Sequence, residues 1–136
     1  MKKNEVEAIL MHSVSRWDQP LSSASYSLAK VLSRQHLTFY IDHPYTLKDV
    51  ILRGWRSPEI RKRLQALFLG RNKYHKIEDD AANLYAVCPL VTLPINWLPP
   101  GSLYNFLSAI NNKIYLRCIK GILSDFSIKN YIYFNS

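Results

Sequence analysis

The chain has 136 residues, room for one ordinary domain and little for a second. With 48% hydrophobic and 21% charged residues it can bury a core, which excludes a disordered tail, and no stretch approaches the roughly 20 apolar residues that span a bilayer. Its formal charge is +8, from 18 Lys and Arg against 10 Asp and Glu, and this favours an anionic partner.

The opening "MKKNEVEAILMHSVS" lacks a long apolar segment and a small-residue cleavage site, so the expected location is the cytoplasm. Within it, "VEAILMHSVS" is an apolar run without helical spacing and predicts a first strand at about 6–14. A connection, "SRWDQPLSS", follows without a single glycine. From Ser22 the pattern changes. Tyr26, Leu28, Ala29 and Leu32 form an apolar side at helical spacing, with Ser22 or Ser23 as N-cap, which predicts a helix over about 23–35. "LTFYID" is aromatic and β-branched and is stopped by His43-Pro44, giving a second strand at 37–42.

Residues 53–76 hold most of the excess of positive over negative charge, with Arg53, Arg56, Arg61, Lys62, Arg63, Arg71, Lys73 and Lys76 against Glu59 alone. Inside this window "SPEIRKRLQALFLG" has the punctuation of a helix: Ser57 as cap, Pro58 and Glu59 in the first turn, Gly70 as stop. Ile60, Leu64, Leu67 and Phe68 form its apolar face. "LYAVCPLVTL" predicts a third strand, Pro99-Pro100-Gly101 a turn, and the segment from Ser102 a long helix with Leu103, Leu107, Ile110, Ile114, Cys118 and Ile122 facing inward. "NYIYFNS" predicts a last strand. Strands alternating with helices imply an α/β fold, a doubly wound, Rossmann-like parallel sheet of about four strands with right-handed crossovers. Ligands of such sheets bind beyond the carboxyl ends of the strands, near residues 15–23, 42–46, 92–98 and 135–136.

That rule singles out the glycine-free connection. Ser22, Ser23 and the start of the first helix offer hydroxyls and N–H groups, Arg16 adds charge, and Asp18 accepts hydrogen bonds from hydroxyls. The bland alternative is a capped helix with an Arg16–Asp18 pair under Trp17. Without G-x-G-x-x-G, no dinucleotide pyrophosphate is expected, and Asp42 at the end of the second strand is a weak ribose signal. His43 is a candidate base or hydroxyl partner, or simply the end of a strand. His12, inside the first strand, reads as a satisfied core histidine, and nothing is assigned to His36 or His75. Cys88 and Cys118 lack metal-ligand spacing and read as buried thiols, so no metal is expected. The helix bearing Arg61, Lys62 and Arg63 either rests on an anionic membrane surface or is an ordinary solvated face. Nucleic acid is the weakest partner reading, because no recognised motif is present.

The runs "VSRWDQPLSSASYSLAKVLSRQHLTFYIDHPYTLKDV" and "LPINWLPPGSLYNFLSAINNKIYLRCIKGILSDFSIKNYIYFNS" resemble the amino-terminal part of bacterial glycosyltransferases of the two-domain GT-B type, close to glycosyltransferase families four and one. The likeness covers all but the first residues and the basic middle, without one diagnostic motif. It implies that residues 1–136 form a single acceptor-side domain, half of a GT-B architecture whose carboxyl-terminal domain holds the nucleoside diphosphate sugar. The complete enzyme would transfer sugar to a cell-surface polysaccharide or lipid-linked acceptor, at the inner face of the cytoplasmic membrane. Read from the residues alone, Trp55, Trp97 and Leu98 either line an acceptor groove or are loop packing. The donor-binding acidic motif of such enzymes would lie beyond residue 136, so the isolated chain is expected to be inactive. The alternative is a non-catalytic basic α/β domain that docks on an anionic membrane or another anionic partner.

Overall fold

A computed structural model describes residues 6–14, 24–53, 56–58, 60–61, 64, 73–77 and 83–135. The elements run β1 (Ala8–His12), α1 (Ala24–Leu32), β2 (Leu37–Ile41), α2 (Leu47–Arg53), β3 (Tyr74–Lys76), β4 (Leu84–Val87), α3 (Ser102–Asp125) and β5 (Tyr131–Asn135). Packing divides the chain into two compact units. One comprises Met1–His43, Tyr74–Cys88 and Ile122–Ser136; the other comprises Pro44–Lys73 and Pro89–Gly121.

The first unit carries a five-stranded sheet in the order β3-β4-β2-β1-β5. The contacts of β1 with β2 and β5, and of β2 with β4, are parallel, while β3 pairs antiparallel with β4. The four expected strands are therefore present and the sheet is mixed, because the short edge strand β3 turns back beside β4. Consecutive residues of a strand point to opposite faces, and in β2 both sides are filled. Tyr40 meets Tyr26 of α1 edge-on at 5.6 Å, within a cluster that includes Ile9, Met11, Ala29, Leu84 and Ala86. Phe39, on the other face, packs against Phe126 at 4.7 Å and stacks on Tyr85 at 5.6 Å. Burial on both faces explains why β1 and β2 read as continuous apolar runs.

Phe126 is held in place by the way α3 ends. Ser127 takes a left-handed φ of 54°, its N–H reaches the Ser124 carbonyl at 3.3 Å, and the Ile128 N–H reaches Leu123 at 2.9 Å. This is a Schellman cap, usually made with glycine. Tyr74 donates a hydrogen bond to Asp125 at 2.5 Å, and the Glu7 carboxylate accepts one from the Lys129 N–H at 2.7 Å.

In the second unit, α2 opens on a capping box: the Asp49 N–H donates to Thr46 Oγ1 at 3.3 Å and the Thr46 N–H to Asp49 Oδ2 at 3.2 Å. The expected cap at Ser57 is formed, with its hydroxyl accepting from the Ile60 N–H at 3.5 Å and its carbonyl from the Arg61 N–H at 3.1 Å. The third expected strand, read to Leu93, ends at Val87. Pro89 cannot donate to a ladder, and beyond it only an isolated bridge joins Thr92 to Thr46. Asn111 of α3 clamps the next residue, accepting from the Leu93 N–H at 2.8 Å and donating to its carbonyl at 3.0 Å.

Two expectations need correction. Leu103, expected to face inward, is 58% exposed. The buried side of α3 is marked by Asn111, and eight residues at 100° each set it about 80° round the helix from Leu103. Cys88 and Cys118 are half-buried rather than fully buried, and they form no disulfide.

Candidate functional site

Chain order and sheet order diverge at β1. From β1 the chain passes through α1 to β2 and on to β4 on one side, then returns through α3 to β5 on the other. Strand order therefore reverses between β1 and β5, and an open α/β sheet offers its ligand crevice at the carboxyl ends of that pair. The last residues of the two strands, His12 and Asn135, are direct register partners. The strands thus carry an imidazole and an amide to the same point, where His12 Nδ1 lies 3.1 Å from Asn135 Oδ1. With Nδ1–H donating to the amide oxygen, Nε2 is the lone-pair side of the ring, and this atom is buried.

Burial of the ring holds the His12 imidazolium below its ordinary value of 6.5. The Asn135 hydrogen bond acts in the opposite direction and the His43 charge in the same one, both more weakly than burial. The imidazole is consequently neutral near pH 7, the state in which it accepts a hydrogen bond or a proton. Tyr133 lies two residues before Asn135 in β5, and partial burial pushes its phenol up, so the hydroxyl keeps its proton. Imidazole, amide and phenol are uncharged hydrogen-bonding groups that suit hydroxyls.

The neighbouring strand ends complete the surroundings. Ser13, just past β1, is buried, and its N–H extends the ladder to the Ile41 carbonyl at 3.3 Å. Asp42 follows β2 fully buried, with its N–H on the Val87 carbonyl at 2.9 Å, while His43 is exposed. Among the described residues no group of three His, Cys, Asp or Glu side chains could hold a metal ion.

Of the residues singled out from the sequence, His43 stands at this end of the sheet and is close enough to His12 to influence its charge. Arg16, Asp18, Ser22 and Ser23 fall in 15–23, outside the described residues, as do Trp55, Lys62 and Arg63. Arg61 is exposed on the helical turn that follows Ser57, Trp97 is 71% exposed, and Leu98 is half-buried. His12 is the residue that sequence reasoning assigned to the core. The signal for it was positional: it is the last residue of a strand whose carboxyl end was already expected to face ligand, as Asn135 is in β5.

Comparison with protein-family models, with curated proteins and with solved structures gives no match. Among the described residues no helix is long and apolar enough to cross a membrane.

Proposed function

We propose that this chain is the acceptor-side half of a GT-B type glycosyltransferase, acting on a sugar or lipid-linked acceptor with a nucleoside diphosphate sugar as donor. The observation that carries the reading is the His12–Asn135 pair at the point where strand order reverses. A neutral imidazole beside an amide is suited to orienting an acceptor hydroxyl and taking its proton as the glycosidic bond forms. The absence of glycine from 15–23 agrees with an acceptor site, because no pyrophosphate needs close backbone approach there. The sequence likeness adds the reaction class. On this reading the sheet is Rossmann-like, and the carboxyl-terminal domain supplies the donor site.

The test compares sugar transfer by residues 1–136 with transfer by the same chain joined to a donor-binding α/β domain of the GT-B type. The short chain is expected to be inactive and the joined one active. In the active form, His12→Ala should lower kcat by about 10²–10⁴-fold, the usual contribution of a positioned acid or base. Full activity in His12→Ala would overturn the assignment of His12, and turnover by the short chain alone would overturn the two-half reading. The alternative, a non-catalytic basic domain, is favoured by one observation. Lys and Arg outnumber Asp and Glu by eleven to two in 44–73 and 89–121, and are outnumbered seven to eight elsewhere. It requires that no extension confers transfer.

A further inference from the structure

The second unit carries more than the surplus charge. Its described residues expose a large share of the molecule's apolar side chains: Leu47, Ile51, Leu52, Leu90, Trp97, Leu103, Phe106 and Leu116 are all between 44% and 71% exposed. On α3 these two properties coincide. Leu103, Phe106, Lys113, Arg117 and Lys120 are exposed, and their spacing of three, seven, four and three residues keeps them within about 100° of the helix circumference. The stripe is about 26 Å long, apolar in its amino-terminal part and basic toward its carboxyl end. From Pro89 to Gly121 there is no Asp or Glu to neutralise it.

We propose that this face of α3, with Trp97 before it, docks on an anionic lipid surface. Two features select lipid from other anionic partners. Leu103 and Phe106 offer aliphatic and aromatic surface that gains by entering acyl chains, whereas nucleic acid would use stacking planes and gain little from leucine. Lys113, Arg117 and Lys120 have long apolar stems that can lie along the interface while their charged ends reach headgroups. Tryptophan is itself enriched at membrane interfaces. The proposal stands whether or not the chain takes part in sugar transfer, and it puts the contact on α3 rather than on the basic residues 61–63.

The experiment is co-sedimentation of the 136-residue chain with phosphatidylcholine vesicles, with and without phosphatidylglycerol, across a salt series. The chain should bind only the anionic vesicles, and less so as salt rises. Lys113→Gln, Arg117→Gln and Lys120→Gln together should weaken the association about a hundred-fold. Leu103→Ser with Phe106→Ser should also weaken it, and circular dichroism melting of both variants should match the wild type because all five side chains are exposed. Phe106→Ser alone, the mildest change, should show a smaller loss. Several outcomes would overturn the proposal: no binding to anionic vesicles at low salt, an equal loss from Arg61→Gln, Lys62→Gln and Arg63→Gln, or retention of an RNA oligonucleotide in place of vesicles. Self-association that Leu103→Ser with Phe106→Ser abolishes, without vesicle binding, would assign the face to a second copy of the chain instead.

Discussion

Phe39 is fully buried and Phe106 is 63% exposed, and these two phenylalanines mark the difference between the central strands of the sheet and the outer side of α3. On the central strands β1 and β2 both faces are occupied, so an apolar residue there finds protein whichever way it points, whereas the edge strand β5 of the same sheet leaves Tyr131, Ile132, Tyr133 and Phe134 exposed. On α3 one stripe is buried, and the rest of the circumference still carries leucine and phenylalanine among lysine and arginine. Where apolar residues are internal they explain the fold. Where they remain outside beside unneutralised positive charge, they describe what the surface is suited to meet.

The sharpest way to break that comparison is to make one truncation in both places. Phe39→Ala removes a ring that touches Phe126, Tyr85 and Tyr74, and should cost about 3–5 kcal/mol in urea unfolding. Phe106→Ala should stay within about 0.5 kcal/mol, as surface substitutions do. Comparable losses would show that α3 buries its outer face and that the contrast is wrong.

Asn111 gives the next largest effect, because there the second unit depends on a buried polar group rather than an apolar one. Its amide satisfies both backbone groups of Leu93. Asn111→Ala leaves a donor and an acceptor without this partner, and should cost about 1–3 kcal/mol by the same unfolding measurement. Asn111→Leu should do no better, since added apolar area cannot replace the two hydrogen bonds. A leucine variant as stable as the wild type would mean that only packing matters at this position.

Much of the sheet was legible because burial on both faces writes long apolar runs into β1 and β2, and the proline and serine signals around Ser57 and Ser102 marked where helices start. What escaped had weaker or competing signals. Helix α2 is short, yet "TLKD" was a usable sign, a threonine with an acid three residues on, which is the capping box found at Thr46 and Asp49. Strand β3 has only three residues, two of them exposed, inside a basic window that reads as surface. Its place depends on pairing with β4, a long-range contact that no local pattern encodes. The candidate site was legible as a position, the carboxyl ends of the strands. Its occupants were not, because bringing His12 opposite Asn135 requires the β1–β5 register across 123 residues.

The smallest expected effect is in the titration of His12, and it tests whether the sheet unit holds a tuned site or only a packed histidine. Burial depresses its folded value below 6.5, so the native state favours the neutral ring and the unfolded chain binds the proton more readily. The stability this contributes is present above about pH 6.5 and is lost as pH falls through the folded value. NMR titration of the ring proton should place His12 below an ordinary histidine. Asn135→Ala removes a hydrogen bond that raises the value and should move it lower; His43→Gln removes a repelling charge and should move it higher. His12→Gln should flatten the slope of unfolding free energy against pH between neutral and mildly acid conditions. Opposite shifts in the two neighbours' variants follow only if Asn135 and His43 both act on the same ring. If neither substitution moves it, His12 is an ordinary strand-end histidine, and the hydroxyl-binding reading of this end of the sheet loses its central group.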